Sequence, residues 1–238
     1  MTNQITGQYG RFPKFLTGNA LKILAAIFMT LDHIGVILLP RVQALQMIGR
    51  LAMPIYAFMI AEGCKYTRNK KKYFGMVFGL GAACQIVYYF YEHSLYLSIL
   101  ITFSLSILTV YALQLWKQKK TILSGLVFAS CVTAVYLLNQ KFTIDYGFWG
   151  CMLPVFAALP HGTKYDSDFT NITMLGIGLV FLGLSMDWIQ CLALLALPLL
   201  YAYNGKRGTL NLKYFFYIFY PVHMAVLAGI SMLITLLR

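Results

Sequence analysis

Asp32 and His33 stand side by side in a run, Leu21 to Leu39, that is otherwise almost wholly apolar. A second run, Gln43 to Gly63, carries Arg50, Pro54 and Glu62, and a third, Tyr214 to Leu237, carries Tyr217, Tyr220, Pro221 and His223. A charged group at the centre of a bilayer costs about 2.5 to 3.5 kcal/mol, so such groups usually face a polar interior and do a job there. Asp32 and Arg50 fall at similar depths on consecutive antiparallel helices joined by a short loop. An ion pair between them would offset the cost of burying both, either to fix helix packing or to serve chemistry. His33 lies about 100° round the helix from Asp32 and faces elsewhere. An imidazole can take and release a proton near neutral pH, which is what a general base does, although a buried histidine is also a common hydrogen-bonded packing residue. Pro54 leaves the Arg50 carbonyl without its helical donor, and Pro221 does the same to Tyr217. Freed carbonyls at this depth call for a polar, hydrated cavity. Phe216, Tyr220 and His223 recur at i, i+4, i+7 and share a face, with His223 near mid-membrane, so His33 and His223 can approach each other. Glu62, near the inner end of its run, is within reach of water.

These residues must be held by membrane helices. The 238-residue chain is 60% hydrophobic and only 11% charged, with a mean hydropathy of +0.70, which excludes an ordinary soluble domain. Crossing a hydrocarbon core of about 30 Å takes roughly 20 apolar residues as helix. Nine such runs are read: Leu21 to Leu39, Gln43 to Gly63, Tyr73 to Tyr91, Leu95 to Trp116, Thr121 to Leu138, Ile144 to Pro160, Thr170 to Met186, Trp188 to Tyr203 and Tyr214 to Leu237. They are continuous rather than alternating, so the expected fold is all-α, a polytopic helical bundle forming a single integral membrane domain over residues 1–238, not a barrel. No cleavable signal peptide is evident, because the first run exceeds a typical h-region and lacks a small-residue cleavage site.

The basic residues set the expected orientation. With the N-terminus inside, one side holds Arg11, Lys14, Lys22, Lys65, Arg68, Lys70, Lys71, Lys72, Lys117, Lys119, Lys120, Lys164, Lys206, Arg207 and Lys213; the other holds only Arg41, Lys141 and Arg238. Such a bias places the N-terminus in the cytoplasm and the C-terminus outside. The net charge of +12 is therefore topogenic, and a nucleic-acid partner is not expected. Five scattered cysteines argue against a disulfide framework or a metal site. Gly75 and Gly79 form a small-xxx-small pair that permits close helix approach.

Glu92, His93, Asp145 and Asp187 fall in outer loops and can rim the mouth of the cavity or stand as solvated loop charges. On the inner side, the Lys65 to Lys72 run and the Asn204, Gly205, Lys206, Arg207, Gly208 segment can hold a phosphate-bearing ligand or serve topology and contact with anionic lipid.

The ordered set of Leu31, Asp32, His33; Gly49, Arg50 to Pro54 to Glu62, Gly63; Thr67, Arg68, Asn69 to Tyr73; Asp145, Tyr146, Gly147; Tyr203, Asn204, Gly205 to Gly208; and Tyr217 to Tyr220, Pro221, His223 resembles the TraX family over most of the chain. That family takes its name from a protein implicated in N-terminal acetylation of a conjugative pilin, and it looks like a branch of the membrane acyltransferases that draw acyl-CoA from the cytoplasm. The resemblance implies an acetyltransferase of the bacterial inner membrane, with acetyl-CoA as donor, no metal, and an acceptor amine or hydroxyl on a protein or glycan. His33, Asp32 and Arg50 would be catalytic. His33 would act as a base or carry the acetyl group, and Arg50 would stabilise an oxyanion or hold Asp32. Glu62, Tyr217, Tyr220, His223 and Asp145 would bind substrate, and Arg68, Asn69, Asn204, Lys206 and Arg207 would bind the nucleotide. Two other classes stay open. A proton-coupled transporter would also use mid-membrane Asp, His and Arg but favours inverted repeats, which the sequence does not display. A non-catalytic membrane assembly factor would need none of these residues at fixed depth.

Overall fold

The computed structural model describes residues 13–92, 95–209 and 212–237. Arg11, His93 and Arg238 lie outside the described residues, as do the side chains of Glu92 and Tyr217. Each of the nine apolar runs is helical. They form α1 (Gly18–Ile37), α2 (Gln43–Gly49), α3 (Ala52–Tyr66), α4 (Lys70–Glu92), α5 (Ile99–Lys119), α6 (Ile122–Lys141), α7 (Gly147–Ala158), α8 (Asp168–Ser185), a 3-10 segment (Trp188–Ala196) leading into α9 (Leu197–Tyr201), and α10 (Lys213–Leu236). Among the described residues, six helical spans are long and apolar enough to cross a membrane. The tyrosine-rich α4, at 23 residues, is long enough at roughly 34 Å but less apolar. α7 has 12 residues, roughly 18 Å, and does not cross by itself.

Local chemistry explains the breaks. The second run splits between α2 and α3 because Pro54 cannot donate to the Arg50 carbonyl. The backbone tightens there, and the Leu51 N–H bonds to the Ile48 carbonyl at 3.2 Å. The Thr17 hydroxyl caps α1 by accepting from the Ala20 N–H at 3.2 Å, and a reciprocal Thr121–Ser124 capping box starts α6. Such a cap is worth about 1 kcal/mol. α3, α5, α7 and α8 supply most of the buried core, including Ile55, Phe58, Ile107, Leu113, Leu153, Leu175 and Leu179. α6 and α10 are peripheral and present apolar side chains outward, as lipid-facing helices do.

Close approach occurs where α1 meets α2. A Cβ at Gly49 would collide with the side chain of Asp32, and one at Gly35 would press on Leu45 and Gln46 at 3.0 Å. These glycines bring the backbone of α2 against α1 beside Asp32. The expected contact pair, Gly75 and Gly79, instead meets nothing within 4 Å among the described residues, because that face of α4 points out of the bundle.

Two short backbone ties close the ends. At the basic end, residues 16–19 pair with 202–207: Leu16 N–H donates to the Ala202 carbonyl at 2.9 Å, Gly18 N–H to Lys206 at 2.8 Å, and Asn19 N–H to Arg207 at 2.9 Å. At the other end, Leu97 N–H donates to the Thr143 carbonyl and Asp145 N–H to the Leu97 carbonyl, each at 2.9 Å.

Candidate active site

α1 and α10 bring His33 and His223 together. Their rings stack with centroids 5.0 Å apart, and His33 Nδ1 lies 2.8 Å from His223 Nε2. The other nitrogen of His223, Nδ1, sits 2.9 Å from the Phe219 carbonyl one turn back. A carbonyl only accepts, so Nδ1 of His223 carries the proton and its Nε2 the lone pair. His33 must then donate from Nδ1, which leaves its Nε2 with a lone pair. The backbone of α10 thus fixes both tautomers.

Next to His33 in sequence, Asp32 faces Arg50 with Oδ1 3.4 Å from Nη2; the two side chains are only 14% and 20% exposed. Arg50 is held from other sides as well. Gln190, in the 3-10 segment, accepts from its Nη1 at 3.5 Å, and Tyr146 and Asp145 at the α6–α7 corner interact with it. That corner is built tightly. Tyr146 takes a left-handed φ of 59°, a conformation that non-glycine residues rarely adopt, and Asp145 accepts from the Tyr96 hydroxyl at 2.6 Å while its carbonyl accepts from Thr102 at 2.9 Å. The result is a nest of two carboxylates around one guanidinium. Asp32 Oδ1 and Gln190 Nε2 are buried without a hydrogen bond among the described residues, so the nest retains polar capacity.

A cavity of about 510 Å³ runs between α1, α3, α4, α5 and α10. Its mouth at the basic end is lined by Asn19, Lys22, Asn69, Lys72 and Arg207, its walls by apolar residues such as Met59, Ile60, Met76 and Val77, and its far end by Met29, Leu80, Leu100 and Tyr220. From Lys22 and Asn19 to Met29, α1 rises roughly 10 to 15 Å. The far end stops at Tyr220, whose ring meets that of His223 at 5.6 Å.

The model of the family described as TraX protein matches residues 17–231, which takes in every residue of this cavity and of the histidine pair. The chain belongs to the TraX family. A "Probable fimbrial assembly protein FimC, serogroup H1" of Dichelobacter nodosus is 25% identical to this family member over 242 residues, covering 89% of the chain and 94% of the relative. An "Uncharacterized protein RP591" of Rickettsia prowazekii (strain Madrid E) is 53% identical over 38 residues, 16% of the chain and 15% of that protein. No solved structure matches.

The structure brings most of the expected site together and leaves part of it out. His33, Asp32, Arg50, Asp145, Tyr220 and His223 converge. Glu62 does not join them: it lies 12 residues beyond Arg50, roughly 18 Å along the helix, where its Oε1 is 3.9 Å from His161 Nε2. Asn69 and Arg207 line the cavity mouth, whereas Arg68, Asn204 and Lys206 do not. Asn204 accepts from the Lys206 N–H at 2.9 Å and so shapes the loop instead. Asp187 is an exposed residue ahead of the 3-10 segment. The five cysteines are free, as scattered spacing implies.

Sequence reasoning passed over Lys22 as a ligand residue, and Gln190, Tyr96 and His161 entirely, whereas Lys72 ends the Lys65 to Lys72 run read as able to hold a phosphate-bearing ligand. Gln190 offered a signal, being the lone amide in an apolar run; the others needed the fold. His161 belongs to a second cluster at the basic end, where Lys65 pairs with Asp166 at 2.9 Å and Lys14 pairs with Asp168. Burial pushes the His161 imidazole down to about 4, with Lys65 and Lys117 adding to the effect. At Asp166, burial works upward but is outweighed by the Gly162 N–H, Lys65 and Asn171, which hold the carboxyl at about 2.

Proposed function

We propose that this protein is an integral membrane acyltransferase that moves the acetyl group of acetyl-CoA to an amine or hydroxyl of an envelope acceptor. The observation that carries the reading is a cavity with a cationic mouth and apolar walls that ends at Tyr220, the ring that packs against His223 of the histidine pair. Lys22, Lys72 and Arg207 suit the three phosphate groups of coenzyme A, and the narrow apolar walls suit its pantetheine arm. That arm amounts to about four peptide-like units, on the order of 15 Å when extended, which is comparable to the depth of the cavity.

In this reading His33 Nε2 accepts the acceptor's N–H or O–H proton as the new bond forms to the acetyl carbon. The C–S bond breaks, and the proton passes to the departing thiolate to give the free thiol. The same lone pair can instead carry the acetyl group between two steps. Arg50 stabilises the developing oxyanion or keeps Asp32 ionised beside the reacting atoms. The basic end faces the cytoplasm of a bacterial inner membrane, as its concentration of lysine and arginine supports, so the donor enters from the side where acetyl-CoA is made. The polar nest around Arg50 then faces the acceptor side. The name of the Dichelobacter relative, a fimbrial assembly protein, favours an envelope protein as acceptor.

The test is calorimetric binding of acetyl-CoA to detergent-purified protein, alongside transfer of labelled acetyl to envelope fractions. Saturable binding with transfer that His33→Ala abolishes is expected. A monodisperse wild-type protein that binds no acetyl-CoA would sink the reading and leave a proton-coupled transporter, read by proton flux in liposomes, or an assembly factor without flux.

A further inference from the structure

The rim of the cavity at the basic end is a braced turn. α3 ends at Tyr66 and α4 begins at Lys70, and the Asn69 side chain between them accepts from the Lys72 N–H at 2.9 Å. A Cβ at Gly63 would collide with the Tyr73 hydroxyl, so the first turn of α4 lies close against the last turn of α3. Tyr66, Asn69 and Lys72 therefore keep fixed places on one side of the mouth, which Asn19, Lys22 and Arg207 also line. Tyr66 is the exposed aromatic of this rim, 68% accessible although it lines the cavity. Lys65 stands over its ring at 5.5 Å from the centroid, and Asp166 holds the lysine there at 2.9 Å. Lys65 does not line the cavity, so it backs the ring from outside. A tyrosine of the interfacial belt anchors a helix among lipid headgroups and has no reason to share an entrance with three cations.

We propose that Tyr66 stacks on the adenine of the donor, so that the mouth recognises the base of coenzyme A as well as its phosphates. This rests on the acyltransferase reading and deepens it. With the pantetheine arm between the apolar walls and the phosphates at Lys22, Lys72 and Arg207, the base is the part of the donor left at the entrance. Adenine is flat and carries no charge for the cations to hold. An aromatic face beside them is the surface that suits it, because every base presents a π-face to stack. Removing an aromatic that stacks on a base weakens binding by about 5- to 150-fold. Keeping a ring of another kind at the same place retains the contact.

Calorimetry on the detergent-purified full-length protein compares acetyl-CoA with S-acetyl phosphopantetheine, which has the same arm and one phosphate but no adenosine. Wild type is expected to bind acetyl-CoA more tightly. Tyr66→Ala should weaken acetyl-CoA binding by at least about fivefold and leave the truncated thioester within about twofold, whereas a purely structural role would lower both alike. Tyr66→Phe and Tyr66→Trp keep a stacking face and should hold acetyl-CoA affinity within about twofold. Tyr66→Leu, which keeps apolar bulk at the membrane surface without a π-face, serves if the alanine variant is not monodisperse and should behave as alanine does. Equal losses for the two ligands, or no loss for acetyl-CoA, in a folded alanine or leucine variant overturns the stacking and leaves the acyltransferase standing. So does a wild type that binds the two thioesters equally. A loss as large in Tyr66→Phe as in Tyr66→Ala also overturns it, because the hydroxyl and not the ring would then be the contact. A folded wild type that binds neither thioester overturns both the stacking and the acyltransferase.

Discussion

Arg50 holds more than one carboxylate, and removing it should therefore damage the protein more than removing its ion-pair partner. At 3.4 Å, and at the effective dielectric constant of about 20 that suits buried protein sites, the attraction between Arg50 and Asp32 is on the order of 5 kcal/mol, against which the desolvation of both groups must be set. Arg50→Met leaves Asp32 and Asp145 facing each other's field without the guanidinium that both interact with. Stranding a buried charge in this way costs about 3 to 5 kcal/mol. Asp32→Asn leaves Arg50 with Asp145, Tyr146 and Gln190, so its cost should be nearer 1 to 2 kcal/mol, about that of one charged hydrogen bond. The double variant removes one of the two stranded carboxylates and should be less damaging than Arg50→Met alone. Thermal unfolding of detergent-extracted protein, with size-exclusion profiles as a check on monodispersity, reads the series. For a chain of this length 1 kcal/mol corresponds to roughly 2 to 4 °C, so Arg50→Met should lower the midpoint by on the order of 10 °C. Losses that simply add in the double variant would mean that the two side chains do not act on each other, and equal single losses would remove the claim that Arg50 serves a second carboxylate.

In the proposed mechanism His223 acts on substrate only through His33, so His223→Ala should lower acetyl transfer by about a hundredfold or more while acetyl-CoA affinity stays within a few-fold; His223→Gln, which keeps an acceptor for the His33 Nδ1–H, should recover part of the rate. Lys22→Ser and Arg207→Ser should each weaken acetyl-CoA binding by about tenfold at low salt, with the gap narrowing as ionic strength rises, whereas Lys206→Ser, which is off the cavity, should change the affinity less than about twofold. The His161 imidazole is held neutral in the fold down to about pH 4, against an ordinary value of 6.5. The unfolded chain binds that proton first, so stability should fall as pH drops from about 6.5 towards 4, by at most about 3 kcal/mol, and the difference between wild type and His161→Gln across that window measures it. A difference that does not vary with pH would show that His161 is solvated.

Composition and run length alone settle the class of the molecule. Sixty per cent apolar residues in nine continuous runs admit only membrane helices, because lipid satisfies no backbone polar group. Position along the chain also determined that Asp32 would meet Arg50 and that His33 could meet His223, since similar depth on neighbouring or facing helices is a one-dimensional property that rise per residue supplies. Pro54 marked the freed Arg50 carbonyl, although the run itself read as one span and the structure splits it into α2 and α3. The tertiary structure alone decided lateral position. Depth did not reveal that Gly49 rather than Gly75 would let backbones approach, since that depends on which face of each helix turns inward. Nor did it reveal that Glu62, on the same helix run as Arg50, would lie beside His161 instead of joining the cluster around Arg50. Lys22, read as a topogenic charge, lines the cavity because the 202–207 segment lies over the start of α1 and sets Arg207 beside it. The tautomers of the two histidines depend on a carbonyl, that of Phe219, whose position relative to the ring is a matter of side-chain rotamer and helix packing. Local sequence fixes which groups must be buried; only the packed bundle fixes which of them share a space.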